Sequence, residues 1–121
     1  MAARRNATPV PRPGHQVRLL RGGAEYFAAL EQAFDAAQHE IRLETYIFEL
    51  DASGRRIAEA LERAAQRGVR VFVAMDGFGT PSWPQEWAGR FDKAGVQWRV
   101  FSPMGRLGMF LPRQWRRLHR K

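Results

Sequence analysis

A chain of 121 residues, 45% hydrophobic and 12% aromatic, has the content of one packed domain or a part of one, which excludes a disordered polymer. The lack of cysteine excludes a disulfide scaffold and any thiolate metal site, and leaves the redox compartment open. A formal net charge of +8 points to an anionic partner: a phospholipid surface, a phosphorylated substrate or nucleic acid.

In chain order, residues 1–14 combine arginines with three prolines and no apolar h-region. They are expected to form a flexible leader and not a secretory signal, with one domain occupying 15–121. No apolar run approaches the ~18–20 residues that span a bilayer. QVRLL (16–20) is a short strand candidate before Gly22 and Gly23. Over Ala24–Gln38, Phe27, Leu30, Phe34 and Ala37 recur at helical spacing, with Tyr26 and Ala33 widening the face. EIRLETYIFEL (40–50) is rich in β-branched and aromatic residues and predicts the best strand, and DASG (51–54) a turn. Ile57, Ala60, Leu61 and Ala64 predict a second helix closed by Gly68. VRVFVAM (69–75) predicts a strand ending at Asp76 and the loop DGFGTPSWP. A third helix is expected from an N-cap at Ser82, with Trp87 and Phe91 inward and Gly95 at its end, followed by a strand VQWRVF (96–101). SPMGRLGMFLP then reads as an irregular loop, with the chain extended again near Arg117.

Strands alternating with helices of this length predict an α/β fold of βαβ units, with a mostly parallel sheet covered on both faces. Ligands of such sheets sit outside the carboxyl ends of the strands. Asp76 and the loop after Phe101 are at such ends.

Candidate chemistry centres on three residues. If the tail is a strand, His119 and Lys121 share a face. A neutral imidazole can attack phosphorus while an ammonium holds the non-bridging oxygens, with no metal or other cofactor required. Taken alone, His-x-Lys in an arginine-rich tail is a weak signal, and a solvated basic tail is the better reading of the charge run. Glu44 stands mid-strand in the apolar segment LETYIF, where a carboxylate must be paired or face a cleft. It either orients a histidine or cationic ligand, or pairs with an arginine such as Arg42 or one from the tail. Asp76 is expected to cap its own loop. DGFG is too short to be specific for an anion cradle. His15 and His39 have no partner at metal-ligand spacing.

After Asp92 the chain has no acidic residue. Its loop interleaves Arg106, Phe110, Arg113, Trp115 and Arg116, a mixture suited to lipid headgroups or to stacking on single-stranded nucleic acid. Aromatics packed into a core are the competing reading.

From about His15 to Lys121, and most specifically in LETYIF, ALERAAQRGVRVFVAMDGFG and the closing LHRK, the chain resembles the start of bacterial cardiolipin synthases, members of the phospholipase D superfamily. The resemblance implies an α/β/α sandwich, present here as an incomplete half. It implies transfer of a phosphatidyl group between phospholipids through a phosphohistidine, without a metal, by a peripheral enzyme expected on the cytoplasmic side of the membrane. The family signature is His-x-Lys, four residues, then Asp, and it occurs twice. His119 and Lys121 match its first two members, and Glu44 matches a carboxylate typical of the LETYIF segment. The signature Asp and the second copy do not occur in these 121 residues. The expectation is therefore an N-terminal fragment that is inactive alone. A nuclease or phosphodiesterase of the same superfamily, or a non-catalytic basic module for anionic membrane or nucleic acid, are the alternatives.

Overall fold

Side-chain alternation along the strands sets the architecture. The structure, a computed structural model, describes residues 9–101. Its elements run α1 (Gly22–Ala36), β1 (Glu40–Thr45), α2 (Ala52–Gln66), β2 (Arg70–Asp76), α3 (Gln85–Ala94) and β3 (Gln97–Phe101). The strands form one parallel sheet in the order β1-β2-β3. Ile41, Val71, Val73 and Met75 point to one face and join a single core with Phe34, Ile57, Leu61, Trp87 and Phe91 from the three helices. Arg42, Glu44, Phe72, Ala74, Gln97 and Arg99 point the other way. The expected α/β class and parallel sheet are present. Among the described residues, however, helices cover one face of that sheet and not both.

α2 shows how sequence becomes position. Asp51 is its N-cap, with Oδ1 accepting the Gly54 N–H at 2.8 Å. DASG is thus a helix start and not the expected turn. Ile57, Ala58, Ala60, Leu61 and Ala64 make its buried stripe. It ends where Gly68 takes φ 94°, so that the Gly68 N–H reaches the Ala65 carbonyl at 2.9 Å and the Val69 N–H the Ala64 carbonyl at 3.1 Å. The same pair of bonds closes α3 around Gly95, from Gly95 to Asp92 and from Val96 to Phe91. Val69 and Val96 are both buried, which locks each helix exit to the strand that follows.

Three boundaries depart from expectation. QVRLL is not a strand: residues 15–21 have no regular structure, and Val17 and Leu19 are 95% and 84% exposed. β1 stops at Thr45 because Tyr46 and Phe48 bond sideways to Thr80 instead of continuing the ladder. α3 starts at Gln85 with Pro84 at the N-cap, not Ser82. Pro84 lacks an N–H and its carbonyl accepts from Ala88 at 2.9 Å, so it serves as the first turn's anchor.

Charged side chains tie the helices together. Arg56 bonds Glu31, and Arg63 bonds both oxygens of Asp35 at 3.1 Å, joining α2 to α1. Arg67 donates to the Phe34 and Ala37 carbonyls at the end of α1. Arg90 of α3 makes a two-pronged contact with Glu62 of α2, 2.8 Å on each prong, and lies 3.8 Å from the centre of the Trp87 ring. The Arg90 hydrogen bond holds the Glu62 carboxyl below its ordinary value, against the opposing effect of burial.

Candidate functional site at the carboxyl ends of the strands

β1, β2 and β3 end at Thr45, Asp76 and Phe101, side by side because the sheet is parallel and in register. The loop after β2 braces all three ends. The Gly77 N–H donates to the Phe101 carbonyl at 2.8 Å. Asp76 is fully buried, and its Oδ1 accepts the Phe78 N–H at 2.8 Å and the Gly79 N–H at 3.4 Å. The Asp76 carbonyl accepts the Thr80 N–H at 2.7 Å. The Thr80 hydroxyl then accepts the buried Phe48 N–H at 2.9 Å and donates to the Tyr46 carbonyl at 3.2 Å. Gly79 permits this closeness, since a Cβ there would stand 2.3 Å from the Tyr46 carbonyl oxygen.

Asp76 therefore caps its own loop, as its place at a strand end predicts. The DGFG amides are engaged with Asp76 and Phe101, so this loop is a brace and not an anion cradle. Thr80 and its link to the segment after β1 had no sequence signal, because the contact spans 32 residues.

Glu44 lies on the open face of β1, exposed to solvent. Its apolar neighbours in sequence do not bury it, because alternation turns Leu43 and Thr45 inward and Glu44 outward. Register aligns Glu44 with Ala74 and Ala74 with Arg99, one row across the sheet with a small residue in the middle. Arg42 is two residues away on the same face and stands over the Phe72 ring, 4.6 Å from its centre. Its guanidinium is held charged chiefly by the hydrogen bond to Glu40, then by the Coulombic pull of Glu40 and, less strongly, of Glu44. A shallow groove of about 430 Å³ follows this row, lined by Arg42, Glu44, Ala74 and Arg99 among others. Glu44 and Arg99 thus flank Ala74 on the open face, and Arg42 beside them is paired with Glu40. Arg99 belongs to this row by register alone, which the sequence does not print.

His119 and Lys121, and the membrane-suited Arg106, Phe110, Arg113, Trp115 and Arg116, lie outside the described residues. Among the described residues, no cluster of three His, Cys, Asp or Glu side chains could hold a metal, and no helix is long and apolar enough to cross a membrane.

Comparison with known proteins adds what the geometry alone does not. The family described as "Cardiolipin synthase, PLD-like domain" matches residues 30–121. The chain is 39% identical over 110 residues to cardiolipin synthase B of Salmonella typhi, and equally to that of Escherichia coli K12, which covers 91% of this chain and 27% of each relative. To cardiolipin synthase A of Pseudomonas aeruginosa LESB58 it is 35% identical over 88 residues, 73% of this chain and 18% of that protein. The chain thus spans about a quarter of the length of the cardiolipin synthase B proteins it matches. No solved structure matches it significantly. With an α/β fold on a parallel sheet and a family match over three quarters of its residues, the chain belongs to the PLD-like domain family of cardiolipin synthases.

Proposed function

We propose that these residues supply the first half of a phosphatidyl-transfer site acting on phosphatidylglycerol-like lipids. The observation that carries this reading is the family match, which takes in both Glu44 and the His119–Arg120–Lys121 triplet. In the proposed reaction a histidine nitrogen attacks the lipid phosphorus and the bond from phosphorus to the headgroup oxygen breaks. The departing alkoxide takes a proton from a second histidine. That histidine then accepts the proton of an incoming lipid alcohol, which attacks phosphorus and breaks the P–N bond. His119 is one member of the pair, and Lys121 neutralises the non-bridging oxygens as charge develops. Glu44 supports the site by orienting a histidine or a cationic group. Arg106, Phe110, Arg113, Trp115 and Arg116 rest against an anionic membrane, which makes the protein peripheral. None of these steps uses a metal.

His15 and His39 are not followed by lysine two residues on, so the 121 residues contain one His-x-Lys and cannot complete the pair alone. The test supplies the protein encoded by the whole reading frame with labelled phosphatidylglycerol and, separately, with DNA. Labelled phospholipid product without DNA cleavage is expected. DNA cleavage without lipid transfer would establish the nuclease reading instead, and vesicle binding with neither activity the basic-module reading.

A further inference from the structure

The exposed apolar side chains are not scattered. Among the described residues, the large hydrophobic side chains left exposed are Val10, Val17, Leu19, Tyr26, Phe27, Ile47 and Phe78. Apart from Val10, all lie at the carboxyl end of the sheet or on the segment leading to it. α1 joins β1 through three residues, 37–39, at the amino end of the sheet, and the His39 carbonyl accepts the Arg70 N–H there at 3.0 Å. The start of α1 is therefore at the opposite, carboxyl end. Tyr26, Phe27 and Leu30 of α1 line an apolar groove of about 280 Å³ together with Ile47 and Phe48, which follow β1. Val17 and Leu19 immediately precede α1. The turns at the amino end of the sheet, 37–39, 67–69 and 95–96, present no large exposed apolar side chain.

The charge runs the same way. Residues 9–24 carry Arg12, Arg18 and Arg21 and no acidic residue, and the first carboxylate of the chain is Glu25. Glu25 Oε2 is occupied by the Arg21 N–H, Asp51 at the groove's edge is occupied in capping α2, and the exposed Glu49 also lines the groove and sets the negative charge that Arg18 and Arg21 must outweigh. Arginines alternate with Val17 and Leu19 in QVRLLR. Exposed apolar side chains gathered toward one end of the sheet, with arginines interleaved on the segment before α1 and a tyrosine among them, match the headgroup layer of an anionic bilayer.

We propose that the carboxyl-end rim formed by Val17, Leu19, Tyr26, Phe27 and Ile47 enters the headgroup region of an anionic membrane, with Arg18 and Arg21 on the lipid phosphates. The proposal rests on the lipid reading above for its partner, but not on turnover. It places the open end of the strands against the bilayer, so that a lipid headgroup would reach Glu44 and the strand ends without leaving the membrane.

These 121 residues contain no cysteine, and any cysteine elsewhere in the protein is replaced by serine, so that single labels report cleanly. Leu19→Cys, Ile47→Cys and, at the amino end of the sheet, Lys93→Cys would each carry a polarity-sensitive fluorophore on the whole protein. On vesicles of phosphatidylglycerol and phosphatidylcholine, the labels at 19 and 47 should shift to the blue and be quenched by spin-labelled lipid, and the label at 93 should not. Phosphatidylcholine alone should give weaker binding. Neutralising Arg18 or Arg21 with glutamine should weaken partitioning about fivefold each. Vesicle binding with labels 19 and 47 unchanged would overturn the proposal. So would labels 19 and 47 that are already shielded before lipid is added, since another part of the protein would then cover the rim. Vesicle binding in the stated orientation by a protein that transfers no phosphatidyl group would refute the catalytic reading and leave this one standing.

Discussion

Thr80 is the smallest unit on which the site end depends. Its hydroxyl is the acceptor for the buried Phe48 N–H. Thr80→Val keeps the shape and removes that acceptor, so it should cost about 1–3 kcal/mol in denaturant unfolding, while Thr80→Ser should cost much less. Equal losses for the two would mean that the methyl, and not the hydroxyl, carries the position. Gly79→Ala forces a methyl to 2.3 Å from the Tyr46 carbonyl oxygen, and backbone must move to relieve it. It should destabilise by about 1–3 kcal/mol, and a melt unchanged from wild type would contradict the described loop approach. Glu44 illustrates what the letters conveyed and what they did not. A carboxylate in LETYIF was visible as a residue needing an explanation. Its explanation is the alternation of an exposed face and a row shared with Ala74 and Arg99, which only the register supplies.

At the scale of elements, the order of helices and strands was legible because the apolar period switches cleanly between two and about 3.6 residues. QVRLL misled because an alternating pattern makes a strand only when a neighbour offers a ladder, and none reaches these residues. The junction of α2 and α3 shows an electrostatic effect of definite sign. Glu62 is depressed in the folded state by Arg90, so the pair stabilises fully above the ordinary glutamate value of 4.5 and fades as pH falls through the lower folded value. Arg90 is partly exposed, and solvent screening holds the contribution to about 0.5–1 kcal/mol. Glu62→Gln should therefore lower stability by that amount at pH 7, with the gap to wild type closing in acid. A gap independent of pH would show that packing on Trp87, and not charge, is what the pair contributes.

At the scale of the whole molecule, the described residues form a three-stranded parallel sheet with its helices on one face and a polar row on the other. The chain covers about a quarter of the cardiolipin synthase B proteins it matches. Its residues contain a single His-x-Lys. On the proposed reading the 121-residue chain should give no phosphatidyl transfer above background, even at concentrations where it binds vesicles. Addition of a separately expressed segment bearing the second signature should be required for any turnover.

The central claim is that His119 takes part in phosphatidyl transfer. Its most direct test compares the protein of the whole reading frame with its His119→Asn variant, using phosphatidylglycerol labelled in phosphate and a thermal melt as the control for folding. The proposed site predicts an unchanged melt and loss of labelled product by at least about a hundredfold. A His119→Asn protein that still forms the product at the wild-type rate would contradict it.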